Sequence, residues 1–295
     1  MTIADGIWQQ VFNFDHYGEL LALVRNSLVA GAALGLVGGL AGVFVIMRDL
    51  PFAVHGISEL SFAGASAALL LGVNIVAGSI VGSLVAAGAI GLLGSRARDR
   101  NSVIGVIMPF GLGLGVLFLA LYKGRAANKF GLLTGQIVAV DTPQMSWLLG
   151  TSAVVLVALA VMWRPLAFAS ADPEVAEARG VPVRALSFAF MIVLGLAVAL
   201  SVQIVGALLV LTLVVTPAAA AARLTASPVL LPLLGVVFAV ASIEGGILLA
   251  LGSSVPISPY VTTISFAIYL GCRLLGRRRK TVRKEKPFRE EPRPT

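Results

Sequence analysis

The chain has 295 residues, 58% of them hydrophobic and 12% charged, with a formal net charge of +8 and a mean hydropathy of +0.97. A soluble domain carries about 25% charged residues, so this composition excludes a soluble enzyme or binding module and points to a polytopic membrane protein. Much of the positive charge is local, with ten Lys or Arg against three Glu from Arg273 to Thr295. Behind a final apolar run that reads as an orientation signal, not as a nucleic-acid surface.

Residues 1–26 are polar and aromatic, with Asp5, Asp15 and His16, and are expected to form an extracytoplasmic N-terminal segment. They lack the basic start of a signal peptide, so the first apolar run is expected to be retained. Nine such runs follow, at about 27–47, 52–73, 77–95, 103–122, 146–163, 184–201, 203–221, 229–252 and 258–275. About 20 apolar residues cross a bilayer core as a helix. The expected fold is therefore all-α, with eight to nine transmembrane helices in one membrane domain over residues 27–275. Only Gln203 divides the sixth run from the seventh, which leaves eight spans open. Residues 276–295, with Pro287, Pro292 and Pro294, are expected to be a basic, disordered cytoplasmic tail. The lone cysteine, Cys272, has no internal disulfide partner and reads as a span residue.

Arginines fall in alternate loops: Arg96, Arg98 and Arg100, then Arg164, Arg179 and Arg184, then Arg223, then the tail. Short cytoplasmic loops are enriched in Lys and Arg, so the amino terminus is expected outside and the carboxyl terminus in the cytoplasm of a cell-membrane protein. Lys123, Arg125 and Lys129 lie on the other side and are outnumbered. Gly31, Gly35 and Gly39 recur every four residues, a ladder that lets a neighbouring helix approach closely. Pro109 followed by Gly111, Gly113 and Gly115 predicts a kinked or loosened fourth span.

The second run opens PFAVHGISELSFAG and carries one of only two histidines. With Pro51 at the first helical turn, His55 and Glu59 fall one turn apart on one face. An imidazole and a carboxylate so placed can grip a divalent cation together, and an ionisable group within the membrane marks a functional site by default. The same pair can also serve as a buried hydrogen-bonded dyad that holds two helices together. Glu244, in ASIEGGILL, is a second intramembrane acid, and Asp141 follows LTGQIVAV on the outer side; both are secondary pathway candidates. That outer stretch is too short to cross and is expected to be re-entrant or interfacial. On the inner side, Asp172 and Pro173 read as an N-cap and first helical position, with Glu174 at the positive helix end. Gly180 and Pro182 stop the helix, giving about two turns in an otherwise minimal loop.

These stretches together resemble the membrane permease subunit of ABC importers for zinc, manganese or iron, the metal-uptake branch called the ABC-3 family. The resemblance runs from about Ser27 to Leu275. It is carried by GVFVIMRDLPFAVHGISELSFAG, NSVIGVIMPFGLGLGVLFL, LTGQIVAV, ADPEVAEARGVPVRAL and VQIVGALLVLTLVVTPAAAAARL. It implies an assembly of two such chains in the membrane, two cytoplasmic ATP-binding subunits and an extracytoplasmic metal-binding protein. It also implies that His55 and Glu59 form a metal station. The family usually has Asp at the position of His55 and His at that of Glu59, so both ligand types persist here in exchanged order. Where the family commonly carries acids before the fourth span, this chain has Arg100 and Asn101. Asp172, Pro173, Glu174, Ala176, Gly180 and Pro182 match the family's coupling helix, the element that docks on the ATPase.

The implied function is translocation of zinc or manganese, or else iron, into the cytoplasm, with no permanently bound cofactor. The sequence contains no G-x-x-x-x-G-K-[ST], so ATP hydrolysis is expected on a partner chain and this subunit is not itself an enzyme. A proton-coupled secondary cation carrier using the same pair is the alternative. A membrane-embedded hydrolase built on His55 and Ser58 would lack an evident oxyanion site and an orienting acid.

Overall fold

The computed structural model describes residues 24–94, 97–125, 131–133, 142–251 and 256–284, with Leu21 and Ser253. Eleven α-helices are used below: α1 Arg25–Met47, α2 Pro51–Leu71, α3 Ile75–Leu93, α4 Ala97–Leu121, α5 Thr142–Ala171, α6 Pro173–Ala178, α7 Val183–Val205, α8 Val210–Val214, α9 Thr216–Leu224, α10 Leu230–Ala250 and α11 Ile257–Lys284. No strand occurs among the described residues. Seven of the helices are long and apolar enough to cross a membrane: α1, α2, α3, α4, α5, α7 and α10.

Glycines set how the spans stack. A Cβ at Gly35 would meet Val240 of α10 at 2.7 Å, and one at Gly39 would lie 2.6 Å from the Val236 Cα. The ladder at Gly31, Gly35 and Gly39 thus lets α10 run antiparallel along α1. Gly64 of α2 and Gly78 of α3 make the same kind of approach, since a Cβ on Gly64 would fall 2.1 Å from the Gly78 carbonyl oxygen. Substituting Gly42 is a direct test of this packing. A Cβ there would lie 2.0 Å from the Val214 carbonyl oxygen, so Gly42→Ala must push helix backbone, at a cost of about 1–3 kcal/mol. The expected result is a lower thermal midpoint for the detergent-purified protein, measured by fluorescence-detected size exclusion; an unchanged midpoint would remove the contact from the packing account.

The seventh apolar run, expected as one span, is broken. Gly206 takes φ 86°, a short 3-10 turn covers Ala207–Leu209, and α8 and α9 follow as two short pieces, with Pro217 at the start of α9. Glycine admits the positive φ and proline cannot continue the hydrogen-bond ladder. The freed carbonyls are answered from α11: Ser258 donates to Val205 O at 3.2 Å and Ser265 to Thr212 O at 3.2 Å. Irregular backbone at membrane depth needs such internal partners.

Two other expectations change, the end of the fifth run and the start of the tail, while the fourth run forms one helix. The fifth run was expected to end near residue 163, yet α5 continues through Pro165 to Ala171, since Leu166 and Ala169 are buried and hold that stretch in the core. Helix α4 is continuous over 97–121 with Pro109 inside it. Helix α11 runs to Lys284, past the expected start of the tail at 276, because no proline occurs between Pro259 and Pro287 and Lys and Arg are good helix formers. Residues 285–295, residues 1–20 expected as an extracytoplasmic segment, and most of the stretch expected to be re-entrant, Asp141 included, lie outside the described residues.

The α6 end of the bundle gathers the α1–α2 corner, the start of α4, and the α5–α7 connection. A core cluster there packs Phe44 edge-on against Trp163 and Phe190, with ring centroids 4.8 and 5.8 Å apart.

Candidate functional site

Helix α2 begins at the α6 end with Pro51 in its first turn, and 1.5 Å of rise per residue sets Glu59 about 12 Å along an axis of about 30 Å. His55 and Glu59 lie on one face, with His55 Nε2 3.7 Å from Glu59 Oε1. The carboxylate side chain is 4% exposed and the imidazole 28%. His55 Nδ1 and Glu59 Oε2 are both buried with no hydrogen-bond partner among the described residues. A buried polar atom left unpaired is costly, and these two belong to side chains that already face each other. One imidazole nitrogen and one carboxylate oxygen suit a borderline divalent cation.

Helix α4 backs the pair. A Cβ on Gly111 would come within 2.9 Å of the Glu59 carbonyl carbon and the Leu60 nitrogen, so only glycine lets α4 pass this close to the site. Sequence reading connected Gly111 with a kink, not with the acid behind which it packs. Ser58 spends its hydroxyl on the His55 carbonyl oxygen at 2.8 Å, so the imidazole does not engage it as a nucleophile.

Among the described residues no three His, Cys, Asp or Glu side chains gather at one point. Glu244 is therefore not a third member of the α2 pair. It sits on α10 against α1, its Oε1 2.8 Å from where a Gly31 Cβ would be. That oxygen is buried without a hydrogen-bond partner among the described residues.

The second cluster surrounds α6. Asp172 caps the helix by accepting from Val175 N at 3.1 Å, and Pro173 and Glu174 fill its first turn. Gly180 takes φ +83° and donates to Glu177 O at 3.0 Å, and Pro182 precedes α7. Of this helix only Ala176 is buried, and Val175 is 45% exposed. The result is a rigid, capped knob that stands out from the bundle.

Arg48 was not singled out by sequence, although it is the lone cation in FVIMRDLPF. From the α1–α2 corner its guanidinium donates to Ser170 Oγ at the end of α5, at 3.5 Å, and to Ser187 Oγ at the start of α7. It thus ties both arms that hold α6 to the residue pair preceding the start of α2.

The profile of the ABC 3 transport family matches residues 21–275. The manganese transport system membrane protein MntC of Halalkalibacterium halodurans is 28% identical over 82% of this chain and 84% of the relative. The manganese import system permease protein ScaB of Streptococcus parasanguinis is 31% identical over 67% of this chain and 71% of its own length. The high-affinity zinc uptake system membrane protein ZnuB of Haemophilus influenzae is 26% identical over 85% and 97%. In structure, the chain superposes on PsaBC from Streptococcus pneumoniae, solved with a Fab, with a TM-score of 0.78 at 24% identity, covering 97% of this chain and 100% of that one. With seven apolar spans, a broken helix beside them and a family match over nearly its whole length, the chain belongs to the ABC 3 transport family.

Proposed function

We propose that this chain is the membrane subunit of an ATP-driven importer that carries a divalent transition metal, zinc or manganese, into the cytoplasm. The observation that carries the proposal is the α2 pair: a buried imidazole nitrogen and carboxylate oxygen, each without another partner among the described residues, within lipid depth of a transport-family chain. Relatives named for manganese transport and for zinc uptake support either ion as cargo. Two protein ligands are too few for a structural zinc site, which has four. Weak ligation suits passage, because an ion that binds must also leave. A second copy of the chain, facing the exposed His55 edge, would bring two more ligands, and a homodimer is part of the proposal.

The α6 end is assigned to the cytoplasm because Arg48, Arg100 and Arg184 line one hollow there and Arg179 ends α6, and short cytoplasmic loops are rich in such cations. With the broken α8–α9 segment and α11 counted beside the seven apolar helices, the chain crosses nine times, starting outside and ending inside. ATP hydrolysis belongs to partner subunits that press on α6, and an extracytoplasmic binding protein delivers the ion. Closure of the partners moves α6, and the Arg48 tie passes that motion to α2, exposing the pair first outward and then inward. A ligand shifts such an equilibrium only through different affinity for the two states.

The test is metal accumulation in cells lacking this chain, measured across zinc, manganese and iron with and without the ATPase partner. The expected result is loss of zinc or manganese uptake that only the chain and its ATPase together restore. Uptake that persists without the ATPase and collapses with the proton gradient would replace the importer by a secondary carrier.

A further inference from the structure

A cavity of about 540 Å³ opens at the α6 end, between the α1–α2 corner and the ends of α3, α4 and α7. Arg48, Arg100 and Arg184 line it, and the described lining includes no Asp or Glu. Asp49, next to Arg48 in the chain, is exposed and is not part of that lining. Arg100 Nε is buried with no hydrogen-bond partner among the described residues. Arg48 spends donors on Ser170 and Ser187, but a guanidinium has five N–H groups and keeps others for the cavity. Burial first, and then the field of Arg100, lower its proton affinity from the ordinary arginine value. Three cations around one hollow whose described lining holds no carboxylate are a standing cost that a bound anion removes.

The remaining wall is apolar, with Phe188 and Met191 inside and Leu92 at the rim, where Leu92 is 70% exposed. A dissolved anion gains nothing from such a wall. An amphiphile with an anionic head and acyl chains uses both halves. We propose that this cavity binds an anionic phospholipid, its phosphate among Arg48, Arg100 and Arg184 and its acyl chains leaving past Phe188 and Leu92. Basic hollows between spans at the cytoplasmic side are well suited to such headgroups. The site goes beyond the transport reading and does not depend on which ion is carried.

The test is native mass spectrometry of the full chain with its ATPase, purified in detergent and offered 1-palmitoyl-2-oleoyl-phosphatidylglycerol or the matching phosphatidylcholine. Phosphatidylglycerol should be retained preferentially. Arg100→Gln and Arg184→Gln should each weaken it about fivefold, and the double variant about 25-fold, as expected for roughly one screened charge contact per arginine. Arg164→Gln, at an exposed cation outside the lining, should leave retention unchanged. Equal retention of the two lipids by the wild-type protein would overturn the proposal without recourse to any variant. So would undiminished phosphatidylglycerol binding in the double variant, or displacement of the lipid by excess inorganic phosphate, which would make this a site for a dissolved anion.

Discussion

Replacing Glu59 by alanine is expected to reduce zinc or manganese uptake to background while the protein still reaches the membrane and assembles with its ATPase, and His55→Ala is expected to do the same. The size of the effect follows from the count of ligands. His55 and Glu59 stand 3.7 Å apart, and no third candidate joins them among the described residues. Losing either leaves a single protein ligand per chain. Loss of even a supporting partner to a metal ligand costs about 10–100-fold, so each variant should fall by at least that much. The exchange of order gives a sharper arm. At i, i+4 on one helix face the two groups meet whichever comes first, so His55→Asp with Glu59→His should retain transport within a few-fold. Uptake by accumulated metal, normalised to assembled complex, is the measurement. Normal uptake by both alanine variants would remove the station from the mechanism, and a dead double exchange would mean that the site reads position as well as ligand type.

That pair was legible in the sequence because helix geometry is local: a proline start and a spacing of four fix a shared face before any tertiary contact is known. The same holds for Gly31, Gly35 and Gly39, whose spacing announces a close helix, and for Asp172 through Pro182, where cap and stop are both local. What sequence left hidden is long-range. That α10 is the helix lying on the glycine ladder depends on a pairing across some two hundred residues. Gly111 reads as a kink signal, yet its role comes from Glu59 on another span. The break at Gly206 sits in an evenly apolar run that hydropathy cannot divide, and its stability rests on Ser258 and Ser265, each 53 residues beyond the carbonyl it serves. Arg48 carries no local signal, because its partners, Ser170 and Ser187, lie 122 and 139 residues away.

Asp172→Arg and Gly180→Pro are expected to uncouple ATP hydrolysis from metal uptake, lowering metal moved per ATP several-fold while hydrolysis continues. Both act on α6 alone. Asp172 holds Val175 N at 3.1 Å; losing such a cap costs about 1 kcal/mol, and a cation at the positive helix end adds about 0.3–1 kcal/mol more. Gly180 stands at φ +83° and its N–H bonds Glu177 O at 3.0 Å. Proline has no N–H and a φ near −65°, so it removes both the stop and the bond. A six-residue helix has few other interactions to absorb either loss, and its motion would no longer reach Ser170 and Ser187 as a rigid push. In the proposed mechanism Arg48, bonded to those two serines, would receive it just ahead of the turn that carries His55. The measurement is paired: ATP turnover and metal uptake by the same reconstituted complex, with co-purification of the ATPase as the check on assembly. An unchanged ratio in both variants would reduce α6 to a connector. Arg48→Ala then separates the two halves of the path, because it leaves the capped helix intact and cuts its tie to α2, with Arg100→Gln as the control for the cavity that Arg48 also lines; a ratio that falls with Arg48→Ala as it does with Gly180→Pro, but not with Arg100→Gln, would assign transmission to that guanidinium.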